Sequence, residues 1–151
     1  MEPITIRKAE AKDVDTLYDI GLNTPELQVS ATEAFMERDE FNWAITNHRG
    51  VFMLAELGGK MAGFIYANTD DKEKPFKNRY ACLVYLVVLS QFRGKGIAQA
   101  LFEKCHEELR NMGATHIYGW ANSESDSGII PFMKKQGFAE GHNYKWMDRE
   151  I

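Results

Sequence analysis

Long apolar runs and paired cysteines are both missing from this sequence of 151 residues. No stretch approaches the roughly 18 consecutive apolar residues of a transmembrane helix, so we expect no membrane span. The first residues carry no signal-peptide pattern. Cys82 and Cys105 form no C-x-x-C motif and each falls in an apolar pattern, which favours two buried free thiols over a disulfide or a catalytic thiol. These features predict a cytoplasmic location.

Strong net charge and metal-ligand spacing are absent as well. The formal net charge of −4 argues against a general nucleic-acid-binding protein, because such proteins are usually basic. The four histidines do not have the spacing of a metal site. No internal repeat or linker is visible, and 44% hydrophobic and 26% charged residues are ordinary values for a globular protein. We therefore expect one domain that spans residues 1–151.

The most informative segment is residues 91–98, Gln-Phe-Arg-Gly-Lys-Gly-Ile-Ala, between an apolar run and an amphipathic helical pattern. The first N–H groups of a helix have no intrahelical acceptor, and the helix dipole adds partial positive charge there. Gly94 and Gly96 would let a phosphate approach the backbone, while Arg93 and Lys95 supply formal charge. This pattern predicts a phosphate-binding turn.

Other phosphate-binding turns fit this segment less well. A dinucleotide fingerprint requires a third glycine where this chain has Gln99, and a P-loop requires a hydroxyl residue where it has Gly96. An ordinary turn with two surface cations, or an interaction module for another phosphate ligand, remains an alternative.

The hydrophobic pattern along the chain predicts a mixed order of strands and helices. Alternation indicates a first strand at Ile4 and Ile6, and Asp13 is a suitable N-cap for a first helix. A capping-box pattern at Ser30 predicts a second helix with Trp43 in its core face. The remaining predicted elements are a hairpin of residues 51–55 and 61–66 around Gly58-Gly59, a strand at 81–89 buried on both faces, a helix at 96–112, a parallel strand at 115–121, a last helix capped by Ser127, and a closing hairpin of 138–140 and 144–147.

Residues 91–98 resemble the acyl-CoA signature Q/R-x-x-G-x-G/A of the GNAT superfamily of N-acetyltransferases, in two overlapping registers. Residues 6–13 resemble the family's opening, residues 51–67 its β2–β3 hairpin, and Gly137-Phe138 the end of its last helix. The resemblance covers essentially the whole chain. It implies an α/β (α+β) GNAT fold, with a mixed central sheet of about six or seven strands and about four flanking helices.

The resemblance implies acetyl-CoA as donor and a primary amine as acceptor. The CoA pyrophosphate would rest on the turn and helix start, and the pantetheine arm would pair with the central strand. The implied cofactor-binding residues are Leu86, Val87, Val88, Gln91, Phe92, Arg93, Gly94, Lys95, Gly96, Ile97 and Ala98. Homodimers are common in the family, so a homodimer is a further expectation.

The family's usual catalytic acid is missing at its expected position. The Tyr of the last helix is replaced by Met133, whose thioether cannot donate a proton, and residues 79–82 contain no carboxylate to act as base. Three accounts remain open. Tyr85, Tyr118 or Tyr144 protonates the thiolate; or the CoA thiolate leaves without an acid; or the chain is a CoA-binding sensor with little transfer activity. A thiol pKa near 8.5 favours the second account.

The resemblance places the acceptor between the first two helices, the β3–β4 edge and the last hairpin. Acidic and aromatic residues in those regions would attract a cationic amine through charge and cation–π contact. Glu26, Glu33 and Trp120 are the candidate acceptor-binding residues, and Asp70, Asp71, Glu73 and Tyr144 occur in the same regions. An ordinary surface fits these residues equally well, so the identity of the amine stays open.

Overall fold

A computed structural model describes residues 2–28, 30, 35–69, 76–124 and 128–151. In chain order its elements are β1 (Ile4–Lys8), α1 (Val14–Leu22), α2 (Arg38–Thr46), β2 (Gly50–Leu57), β3 (Lys60–Thr69), β4 (Tyr80–Val88), α3 (Ile97–Asn111), β5 (His116–Gly119) and α4 (Ile129–Lys135). Short 3-10 turns occupy Ala11–Asp13, Pro25–Leu27 and Ser90–Phe92. Within the described ranges, no helix has the length and apolarity to cross a membrane.

The five strands form one sheet in the order β1-β2-β3-β4-β5. Neighbouring strands are antiparallel from β1 to β4, whereas β4 and β5 are parallel and are connected through α3. This confirms the predicted mixed α+β fold and the parallel strand–helix–strand unit. The β2–β3 hairpin is also confirmed, and its Gly58-Gly59 turn has φ angles of +58° and +79°, as a two-residue hairpin loop favours.

The predicted closing hairpin is wrong, so the sheet has five strands in the described part of the chain instead of six or seven. Residues 138–151 form no strand. They are held instead by side-chain contacts: the ring of Phe138 packs 5.8 Å from that of Phe102, and the Ser30 hydroxyl donates a hydrogen bond of 2.7 Å to Asp148. Tyr144 and Trp146 are exposed, so their alternation gives this segment no buried face that would fix a strand register.

The two faces of the sheet are covered by different helices. On one face, α3 buries Ile97, Leu101 and Cys105 against the sheet, and α4 adds Met133. On the other face, α1 and α2 cover an aromatic core, whose largest members are Phe41, Phe52, Phe64 and Tyr66. Each pair of helices therefore closes one hydrophobic layer.

The strand β4 is less buried than its apolar sequence predicts. Val84 is 36% exposed and Tyr80 is 42% exposed, so β4 is not covered on both faces along its whole length. The register shows the reason: Tyr66 pairs with Tyr85 and Ala67 with Leu83, which leaves Val84 as an extra, bulged residue. A bulge bends a strand and interrupts its pairing. The apolar run at this point lines an open cleft.

Two predicted helix starts differ from the structure. Asp13 occupies the N-cap position of α1 but makes no side-chain cap. Its carboxylate accepts two hydrogen bonds of 2.8 Å from the Arg7 guanidinium and one of 2.8 Å from the Glu10 N–H. The Arg7 guanidinium thereby holds the pKa of the Asp13 carboxyl below its usual range and ties β1 to the start of α1.

The second helix begins at Arg38, well after the predicted capping box at Ser30. Residues 31–34 of that box lie outside the described residues, as does Ser127, the predicted cap of the last helix. Trp43, which the sequence predicts as a core residue, is 53% exposed on α2. Its place in the core is taken by Phe41 and Ala44, because α2 is turned so that these residues face the sheet.

Both cysteines are free thiols, as predicted. Cys105 is fully buried on the face of α3 that packs against the sheet, and burial raises the pKa of its thiol to about 12. Cys82 is only half-buried, and burial raises the pKa of its thiol too. Neither environment favours the thiolate that a nucleophile requires.

Candidate active site

A cleft opens where β4 and β5 part. The two strands pair only from Tyr80 to Leu83 on β4, and β4 continues to Val88 after β5 has ended at Gly119. The Val84 bulge lies where the pairing stops. The cleft, of about 100 Å³, is lined by Thr24, Glu26, Leu27, Leu83, Val84, Leu86, Val87, Arg93, Trp120, Ala121, Asn122, Ile129 and Met133.

Beyond the bulge, the backbone of β4 directs hydrogen-bonding groups towards this cleft. The Leu89 N–H bonds to Ala62 O on β3 at 2.8 Å. Successive residues of a strand point their N–H groups to opposite edges. Since the N–H of Leu89 points towards β3, the N–H of Val87 does so too, and the N–H groups of Leu86 and Val88 point away from β3. The cleft edge of β4 thus offers backbone groups of the kind that an extended ligand pairs with.

The glycine turn lies at the end of this strand and begins α3. Gly94 and Gly96 have φ angles of +77° and +80°, which residues with side chains rarely adopt. A Cβ added to either would meet no other heavy atom within 4 Å, so open space faces the turn. The Arg93 guanidinium donates a hydrogen bond of 3.1 Å from Nε to Val88 O, which links the turn to the cleft edge of β4.

The predicted residues of the turn divide into two groups. The Ile97 side chain is buried and that of Phe92 packs against the same core, so both can meet a ligand only through their backbones. Gln91, Arg93 and Lys95 are exposed. Positive charge and unpaired helix N–H groups therefore meet at one end of the cleft.

Two of the three candidate acceptor residues line the same cleft. Glu26, in the turn after α1, and Trp120, just after β5, both line the cleft. Glu26 is the one carboxylate among the described residues that line it. Glu33 lies outside the described residues, as do Asp70, Asp71 and Glu73.

The structure does not bring the three candidate tyrosines together. Tyr85 packs 5.2 Å from the ring of Phe35, and burial raises the pKa of its phenol to about 12. Tyr118 is 46% exposed on β5, where its hydroxyl is a hydrogen-bond partner of the Cys82 thiol. Tyr144 is exposed beside Trp120. Within the described part of the cleft wall, none of the three contributes to the lining.

Met133 occupies a central position in the cleft. It is 8% exposed, and its Cε lies 3.5 Å from where a Cβ on Gly119 would stand. A side chain at position 133 therefore reaches the point where β4 and β5 part. Because a thioether has no proton to donate, this position can shape the cleft but cannot act as an acid.

Val84, Thr24 and Asn122 are among the cleft-lining residues that sequence reasoning missed. Val84 lies within a uniform apolar run, and such a run contains no local signal for a bulge. Thr24 stands next to Pro25, which marks a turn but does not say what the turn contacts. Asn122 follows β5, and its position at the carboxyl end of a parallel strand was the one available signal.

Comparison with known proteins agrees with this geometry. A sequence model of the acetyltransferase (GNAT) family matches residues 16–138. An uncharacterized N-acetyltransferase of Methanocaldococcus jannaschii is 30% identical over 100 residues, which cover 66% of this chain and 44% of the relative. The chain thus spans less than half the length of this relative.

Solved structures share the fold across nearly the whole chain. A transcriptional regulator from Bacillus halodurans has a TM-score of 0.78 at 17% identity, with 97% of this chain and 100% of that chain covered. A predicted acetyltransferase with acetyl-CoA from Clostridium acetobutylicum has a TM-score of 0.75 at 20% identity, with 97% and 96% covered. At these identities the likeness shows the fold alone.

The match to residues 16–138 covers most of the chain. The chain therefore belongs to the acetyltransferase (GNAT) family, as its 91–98 motif predicted. Acyl transfer is the chemistry of this family.

Proposed function

We propose that residues 1–151 form one N-acetyltransferase domain, which moves an acetyl group from acetyl-CoA to a primary amine by direct attack in a ternary complex. The observation that supports this most is continuity: Arg93 at the start of the glycine turn, Leu86 and Val87 on β4, and Glu26 and Trp120 all line one cleft, which opens where β4 and β5 part. Such a cleft lets a long donor and a separate acceptor meet from opposite faces.

The donor binds along the first part of this path. The pyrophosphate rests on the backbone of the turn from Arg93 to Ala98, where Gly94 and Gly96 leave room for it. The pantetheine arm pairs with the cleft edge of β4 at Leu86 and Val88. A backbone N–H of this edge donates to the thioester oxygen and stabilises the negative charge that develops there.

The acceptor enters from the face that carries α1 and α2, because α3 and the turn occupy the other. Glu26 attracts the ammonium form, and Trp120 offers a ring face to the same cation. The amine transfers a proton to Glu26 or to water, and its nitrogen lone pair then attacks the thioester carbon. The C–S bond breaks, CoA leaves as the thiolate, and the nitrogen loses its second proton to give the amide.

We propose that the thiolate leaves without a protein acid. An alkyl thiol such as that of cysteine has a pKa of about 8.5, far below that of an alcohol, so a thiolate is a moderately stable leaving group. Met133 stands at the position where the resemblance to the family implies a tyrosine. Burial makes Tyr85 a poorer acid, since it raises the pKa of that phenol to about 12.

Single Tyr→Phe substitutions test this step. With Tyr85, Tyr118 and Tyr144 replaced in turn, we expect kcat to stay within about threefold of the wild type. General acid catalysis contributes about 100-fold or more, so a loss of that size at one site, with acetyl-CoA binding intact, would identify the missing acid.

Two measurements test the function itself. Calorimetry with acetyl-CoA, CoA and NAD should show micromolar binding of both CoA ligands and none of NAD; if neither CoA ligand binds, the central proposal fails. A thiol-release assay over a panel of amines then separates an enzyme from a CoA-binding domain without transfer. The double variant Arg93→Ala/Gly96→Trp, whose folding is checked by circular dichroism, should bind neither CoA ligand.

A further inference from the structure

Beside the cleft lies a group of exposed rings, of which the proposed transfer reaction uses Trp120 alone. We define the aromatic platform as Tyr80, His116, Tyr118, Trp120 and Tyr144. The Tyr80 ring stacks on His116 at 4.9 Å between centroids and meets Tyr118 at 6.5 Å, while Trp120 and Tyr144 form an edge-to-face pair at 6.3 Å. Exposed aromatic side chains that lie together mark a binding site more often than exposed apolar side chains that lie singly.

The platform continues the face of the sheet that α1 and α2 cover elsewhere. Tyr66 on β3 lies on that face and is buried. Two residues along, Asn68 pairs with Cys82, and Cys82 pairs with Tyr118, so Tyr118 projects from the same face. Tyr80 and Tyr118 are nevertheless 42% and 46% exposed, which shows that the helices that cover Tyr66 leave this end open.

Space and position connect the platform to the reaction site. Trp120 lines the cleft and, together with Tyr118 and Tyr144, also lines a groove of about 970 Å³ beside β5. Tyr80 lies three residues from Leu83, where the cleft begins, which is roughly 10 Å along a strand. An acceptor whose amine binds at Glu26 could therefore place its remaining atoms against these rings.

The distribution of charge indicates what kind of body fits. Among the residues that the structure describes, the cleft is lined by one carboxylate, that of Glu26, whereas the platform consists of phenol, indole and imidazole rings. One carboxylate suits one ammonium group, and aromatic faces favour flat or apolar groups over further hydrated charges. We infer that the acceptor is a primary monoamine carried on a planar, apolar body, such as an arylalkylamine, with its ring on the aromatic platform. This inference rests on the proposed acetyl transfer.

The test compares 4-phenylbutylamine, butylamine and spermidine as acceptors. We expect kcat/KM for 4-phenylbutylamine to exceed that for either of the others at least tenfold. Tyr80→Ala should raise the KM for 4-phenylbutylamine about tenfold and leave the KM for acetyl-CoA within twofold. Tyr118→Ser should also raise the KM for 4-phenylbutylamine, so the test remains valid if Tyr80→Ala folds poorly. Trp43→Ala, which removes an equally exposed ring from α2, is the matched control and should change neither value.

Direct binding separates this inference from the proposed function. Calorimetry of 4-phenylbutylamine with the CoA-saturated protein should show binding that Tyr80→Ala weakens. If the amine binds but no acetyl is transferred, the proposed function is wrong and the platform assignment stands. If spermidine or butylamine is acetylated as well as 4-phenylbutylamine, or if Tyr80→Ala leaves its KM unchanged, the platform assignment is overturned and acetyl transfer stands.

Discussion

Replacing Gly96 with alanine should weaken acetyl-CoA binding and should also destabilise the fold modestly. Gly96 has a φ of +80°, and an L-residue in this conformation costs roughly 1–2 kcal/mol. For a protein of this size, that strain should lower Tm by about 2–8 °C. The added Cβ meets no protein atom within 4 Å, so nothing else in the fold resists it.

The ligand is the component that the new methyl group would meet. If the methyl group displaces the pyrophosphate from one backbone N–H, the binding free energy should weaken by about 1.5–3 kcal/mol, because a hydrogen bond to a charged group contributes this much. The dissociation constant for acetyl-CoA should therefore rise at least tenfold, as measured by calorimetry.

Gly59→Ala is the matched control for this experiment. Gly59 has a φ of +79° and also has no heavy atom within 4 Å of the added Cβ, but it lies in the β2–β3 turn. Both variants should lose similar stability in thermal denaturation, and Gly59→Ala should bind acetyl-CoA like the wild type. Equal acetyl-CoA affinity in the two variants would refute the assignment of this turn to the phosphate.

Three further perturbations test other parts of the structure. Asp13→Asn should lower the free energy of unfolding by about 2 kcal/mol at pH 7. Because Arg7 lowers the pKa of Asp13, the stabilisation by the Asp13 carboxylate is present above the unfolded pKa of about 3.9 and is lost as pH falls through the lower folded pKa. The stability of the variant, measured by urea denaturation, should therefore depend less on pH in that acidic range than the stability of the wild type does. Gly63→Ala would place a Cβ 2.3 Å from Val87 O, so β4 must shift. We expect a stability loss of about 1–3 kcal/mol and a higher KM for acetyl-CoA. An unchanged stability and an unchanged KM would show that β4 can shift without cost. Met133→Tyr would introduce a phenol at the parting of β4 and β5 and should raise kcat up to about 100-fold if the thiolate now leaves unassisted, while an unchanged kcat in a well-folded variant would indicate that another acid already acts.

Local patterns predicted those elements whose cause is local. The Gly58-Gly59 turn follows from the backbone freedom of two adjacent glycines between apolar strands, and α3 follows from its apolar stripe. The predicted closing hairpin failed because an alternation of aromatic residues does not specify a partner strand, and Tyr144 instead pairs with Trp120. The assignment of Trp43 to the core failed because the rotation of α2 depends on how Phe41 packs against the sheet.

The sequence by itself determined the family and predicted the phosphate-binding turn, because a strand end, two glycines and a helix start are neighbours in the chain. The sequence also showed that position 133 has no acid. Only the tertiary structure decided which distant residues meet: the pairing of β4 with β5 stops at Leu83, next to the Val84 bulge, and Glu26, Trp120 and Arg93 all line the cleft that opens there. A bulge depends on the register between two strands, and register is set by contacts across the sheet that no single segment contains.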